Sequence, residues 1–94
     1  MKKIDELDGI LKRMSFLFEC GGELRWADSF GRLRGELAES PGDVVAKILQ
    51  SFGGMGSLND IVLYKDGDVM ISETNELDAL RGALYDLCQN FGSR

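Results

Sequence analysis

From Lys3 to Glu19, apolar side chains return every three or four residues: Ile4, Leu7, Leu11, Met14 and Phe18, with Ile10 and Leu17 widening the stripe. That period matches the turn of an α-helix and predicts an amphipathic helix over 3–19. Asp5 and Glu6 stand in its first turn, where the helix dipole favours negative charge, and Gly21-Gly22 supply a stop. Residues 23–39 repeat the pattern with Trp26, Phe30, Leu33 and Leu37, flanked by Leu24 and Ala27. Trp26, the single tryptophan, is expected in the core. Gly31 and Gly35 lie inside this second helix, four apart, and so share a face that predicts a close helix crossing. Arg32, Arg34 and Glu36 interleave them, which excludes a membrane dimer motif.

The segment Ser40-Pro41-Gly42-Asp43 reads as a helix start, with serine at the N-cap, proline at the first position and an acid where a capping box places one. The third helix, 41–52, carries Val44, Val45, Ile48, Leu49 and Phe52. Two apolar runs follow, Ile61–Tyr64 and Val69–Ile71, separated by a turn containing Asp66-Gly67; they predict a β-hairpin. Two strands alone are marginal in water, so the hairpin must pack on helices. A last helix starts at Thr74 or Asn75 and runs to about residue 91 on Leu77, Leu80, Leu84, Leu87 and Phe91. The expected architecture is α+β and mostly helical: three helices, a β-hairpin, then a fourth helix, in one globular domain spanning residues 1–94.

Composition narrows the function more than the fold. The 94 residues carry a net charge of −5, which argues against a nucleic-acid footprint and against docking on anionic lipid. The charged N-terminus has neither the apolar core of a signal peptide nor a membrane span, so a cytoplasmic location is expected. The chain has no histidine, so the commonest general base and metal ligand are missing. Two cysteines cannot form a four-ligand zinc site and do not make a disulfide framework; both are expected reduced and buried. Cys20 falls at a helix C-terminus, the wrong end of the dipole for a thiolate nucleophile. Neither catalytic residues, metal nor cofactor is expected, and the chain does not read as an enzyme.

The glycine-rich stretch Gly53-Gly54-Met55-Gly56-Ser57 raises the question of phosphate. A phosphate loop needs a lysine after its glycines and a helix that opens there. Here the glycines follow a helix, precede a strand and have no lysine. Asp60, Asp66 and Asp68 do not form a calcium loop, because the apolar run 61–64 interrupts them. The stretch is expected to be a corner, with Met55 plugging the core and Ser57, Asn59 and Asp60 bonding local backbone.

Phe52-Gly53-Gly54-Met55-Gly56-Ser57-Leu58-Asn59-Asp60-Ile61-Val62-Leu63, together with the leucine-rich segment 75–88, resembles a family of small bacterial domains without an assigned activity. The resemblance covers residues 52–88 and implies a compact bacterial protein. Small acidic proteins of this kind are often immunity proteins, an association by analogy only.

Charge is uneven. Residues 1–59 hold nine acids and eight bases, whereas residues 60–94 hold seven acids and three bases. Between Asp66 and Asp78 stand Asp66, Asp68, Glu73, Glu76 and Asp78 with no base, an expected acidic rim if the hairpin folds against the last helix. Ser57, Asn59 and Asp60 are candidates to continue it. Such a rim suits a partner protein with a basic surface and speeds association with it. Arg25, Arg32 and Arg34 are expected to pair with Glu36, Glu39 or that rim. The reading that follows is a protein-binding, non-enzymatic inhibitor, most concretely an immunity protein that neutralises a toxin. The alternatives are a self-associating structural or regulatory subunit, as a homodimer, and a phage-encoded inhibitor of a host nucleic-acid-binding system.

Overall fold

A computed structural model describes residues 2–53 and 58–91. Helix α1 (Lys2–Cys20) is followed by α2 (Leu24–Leu37) and α3 (Pro41–Gln50). A 3-10 turn at Leu58–Asp60 leads to β1 (Tyr64–Lys65) and β2 (Asp68–Val69), which pair antiparallel, and α4 (Ile71–Gln89) completes the chain. The expected α+β order of three helices, hairpin and helix is the observed one.

The stripes meet where the pattern placed them. Leu7, Leu11, Met14, Leu17 and Phe18 of α1 are buried against Phe30, Leu33 and Leu37 of α2, and Val44 and Ile48 of α3 and Leu77 and Leu84 of α4 complete the same cluster. Phe18, Phe30 and Trp26 stack at the α1–α2 turn, the first two edge-to-face at 5.3 Å between ring centres. Trp26 is half-buried, packed against the cluster from outside. Edge-to-face aromatic pairs add about 0.5–1.5 kcal/mol beyond the area they bury.

The end of α1 shows why two glycines follow it. Glu23 N–H donates to the Phe18 carbonyl (2.8 Å) and Gly22 N–H to that of Glu19 (3.2 Å), the paired bonds of a Schellman cap. Gly22 sits at φ +76°, the left-handed conformation that cap requires. Gly21 has a separate role: its bare Cα lets Leu63 pack directly on it.

Several boundaries differ from the pattern. The ladder spans two residues on each side rather than 61–64 and 69–71. Ile61 and Leu63 instead form a buried, extended lead-in, and Met70 N–H still donates to the Leu63 carbonyl at 2.8 Å. Helix α4 begins at Ile71, three residues before Thr74. Thr74 is thus helical, and its hydroxyl accepts the Leu63 N–H at 3.1 Å. Ser40 precedes α3 without a side-chain capping bond. Gly31 and Gly35 make no close crossing: both are exposed, and a Cβ at either would meet nothing within 4 Å. Cys88 is buried as expected, whereas Cys20 is exposed. No helix among the described residues is long and apolar enough to cross a membrane.

Candidate functional site

The hairpin turns on Asp66 and Gly67, at φ +54° and +85°. Two consecutive left-handed residues make the tight turn whose twist matches antiparallel strands, which is why Asp-Gly suits this place. Tyr64 stands opposite Val69 and Lys65 opposite Asp68. Alternation along the strands divides the side chains between two faces. Leu63 is buried and Met70 half-buried beneath the hairpin, while Val62, Tyr64 and Val69 are directed to solvent at 40, 52 and 46% exposure. Ile71, two residues beyond Val69, is 69% exposed. Four large apolar side chains thus stand exposed within ten residues of chain, next to the exposed acids Asp66 and Asp68 at the tip. Single exposed apolar residues are ordinary; a group of them beside a charged rim is the pattern of a contact surface.

The five acids of the expected rim do not form one base-free edge. Asp66 and Asp68 lie together at the tip, and Glu73 lies in the first turn of α4. Glu76 is bound by Arg13 of α1 through both Nε and Nη2, the latter at 2.9 Å, and these hydrogen bonds hold its carboxyl below the usual range. Arg13 also lies 5.1 Å over the ring of Phe16. Asp78 is paired with Arg81, one helical turn along. Arg32 pairs with Asp28 and Arg34 with Asp8, rather than with Glu36, Glu39 or the rim. Glu36 is taken by Lys47 of α3.

Arg81 has a role that the apolar pattern of α4 does not express. Only 7% exposed, it sends Nη1 to the carbonyls of Leu58 (2.8 Å) and Ile61 (3.0 Å), and Nη2 to Asp78. Burial lowers its pKa, and the charge of Asp60 opposes that shift. The guanidinium thereby ties the segment entering the hairpin to α4. The signal was available: Leu77, Arg81, Leu84 and Cys88 fall on one helical stripe, and an arginine within an apolar stripe marks a buried cation with dedicated partners.

Asn59 holds the corner, as expected, through a bond from its amide to the Phe52 carbonyl (3.2 Å). Asp60 is exposed, and its charge acts on Arg81. Ser57, Met55 and the central glycines of the corner lie outside the described residues. Beside this corner an open cleft of about 640 Å³ runs between α3 and α4, lined by Phe52, Asn59, Asp78, Arg81 and Tyr85. Phe52 and Tyr85 close one side of it edge-to-face at 5.2 Å. Its arginine and asparagine are already engaged by the protein's own carbonyls. Among the described residues there is no cluster of three or more acids or cysteines able to hold a metal ion.

No curated protein and no solved structure matches the chain. A family match covers α2, α3, the corner and the hairpin, and it includes the Gly-Gly-Met-Gly-Ser segment but not the leucine-rich segment of α4. Over residues 19–72, more than half of its length, the chain matches DUF6966, a domain of unknown function, and it belongs to that family.

Proposed function

We propose that the chain is a protein-binding, non-enzymatic inhibitor, most concretely an immunity protein that neutralises a bacterial toxin in the cytoplasm. The observation that carries this reading is the hairpin: Val62, Tyr64, Val69 and Ile71 exposed beside Asp66 and Asp68. Burying such side chains against a partner supplies affinity at roughly 25 cal/mol per Å² of apolar area, before the costs of association. The acids add rate and selectivity for a partner with a basic surface. Nucleic acid and anionic membrane are unsuited to this face for the same reason of charge. Glu76 and Asp78, already neutralised by Arg13 and Arg81, contribute less to the surface than Asp66 and Asp68.

A test is to mix the purified chain with the product of the adjacent gene and follow complex formation by size-exclusion chromatography. The expected result is a complex that is lost when Tyr64→Ser is combined with Asp66→Lys and Asp68→Lys. Absence of a complex, or a complex indifferent to those changes, overturns the reading. The same exposed apolar face also supports self-association, the second reading. A salt-resistant dimer of the chain alone would favour it, because apolar interfaces are little screened.

A further inference from the structure

The two strands expose unequal edges. Met70 N–H donates to the Leu63 carbonyl, one of the two bonds of a hydrogen-bonded pair, while the Leu63 N–H turns to the Thr74 hydroxyl. In an antiparallel ladder, bonded and non-bonded pairs alternate. Tyr64 and Val69 are therefore a non-bonded pair, and their N–H and C=O groups point away from each other. Among the described residues no protein group bonds the backbone of Val62, Tyr64 or Val69. On the β2 side this edge is cut short, because α4 begins at Ile71. On the β1 side it continues through Val62 and Tyr64, two outward positions whose side chains are also exposed. Unprotected edges of this kind accept a further strand, and proteins ordinarily blunt them with proline, charge or a bulge. Here β1 is two residues long and Lys65 places a charge at its turn end, while Val62 and Tyr64 leave the rest of the edge apolar and uncharged.

Resting on the reading of the chain as a binding protein, we infer that the partner docks by laying an extended segment along the outer edge of β1. That segment is apolar at alternate positions, to cover Val62 and Tyr64, and basic where it passes Asp66 and Asp68. Main-chain bonds to the edge supply affinity, and the alternating side chains supply selectivity. A second copy of the chain fits less well. Each copy carries a net charge of −5.

The probe is a short synthetic peptide of alternating valine and threonine ending in two lysines, added at millimolar concentration to the full chain. Amide hydrogen exchange is read residue by residue by NMR. The expected result is exchange slowed about tenfold at Val62 and Tyr64, with no such effect from the same peptide N-methylated at alternate residues. Unchanged exchange at both amides, or equal slowing by the N-methylated peptide, overturns strand addition. A second arm uses the adjacent gene product. If Tyr64→Ser weakens that complex while the amides of Val62 and Tyr64 exchange freely within it, strand addition fails and the binding-protein reading stands.

Discussion

Leu63 packs on Gly21 so closely that a methyl group on the glycine would lie 2.6 Å from Leu63 Cδ2 and 2.9 Å from its Cβ. This contact seats the hairpin lead-in on the end of α1, and Leu63 is fully buried there. Because the nearer clash extends to Leu63 Cβ, side-chain rotation alone does not relieve it. Gly21→Ala should therefore destabilise the fold by about 1–3 kcal/mol, the usual cost of overpacking. Leu63→Ala alone should cost about 2–5 kcal/mol, and less in the Gly21→Ala background, where the new methyl partly fills the gap. Urea unfolding followed by Trp26 fluorescence reads all three variants. Additive losses would show that the two residues are not coupled.

Arg81 holds two carbonyls of the 58–61 segment from within the core. Arg81→Met keeps much of the apolar stem but leaves those carbonyls without their donor, an expected loss of about 3 kcal/mol. Arg81→Lys keeps the charge without the planar fork, so it should recover only part of that loss. The more specific readout is local: exchange at the Leu63 amide should accelerate in Arg81→Met beyond the change in global stability. A uniform change across all amides would mean that Arg81 does not anchor the hairpin.

What the pattern could and could not convey follows from where the partners lie. The stripe Leu7, Leu11, Met14 and Phe18 is local, and local periodicity is what a chain displays directly. The pattern sets the start of α4 too late because Ile71 looks like a strand residue and Thr74 like a cap; the partner of the Thr74 hydroxyl is Leu63 N–H, eleven residues away. Gly31 and Gly35 share a face as their spacing says, but spacing does not say whether that face meets a helix or water. In the hairpin both faces are apolar, so alternation showed two faces without showing that Leu63 is inside and Tyr64 outside. The acidic run 66–78 was legible as composition. Its neutralisation at Glu76 depended on Arg13, which lies far off in the sequence.

Acid stability should carry a small contribution from Asp8. The hydrogen bonds from Arg34, at 2.8 and 3.3 Å, hold the Asp8 carboxyl below its ordinary 3.8. A carboxyl depressed in the folded state stabilises above its unfolded pKa, and that stability is lost as pH falls from about 4 through the lower folded value. The pair is part-exposed, so the contribution is only about 0.2–1 kcal/mol. Asp8→Asn should flatten this part of the pH dependence in urea titrations and leave the neutral-to-alkaline limb unchanged. An unchanged acid limb would remove the pair from the account.

The two thiols should behave oppositely. Cys20 is exposed, whereas Cys88 is 3% exposed in the core and its pKa is pushed up to about 11 by burial. In the native protein a disulfide reagent at pH 8 should modify one thiol quickly, and Cys20→Ser should abolish that phase; the second thiol should react only as fast as the chain opens. Cys88 also predicts a slope at high pH. The folded state keeps its proton above the ordinary value of 9.0. Between about pH 9 and 11 the unfolded chain therefore releases a proton that the native state retains, and stability falls as pH rises, by about 2 kcal/mol at most. Cys88→Ala leaves a small cavity and lowers stability at every pH, but it should remove this alkaline slope. If wild type and Cys88→Ala lose stability in parallel from pH 9 to 11, the buried thiol is not its source.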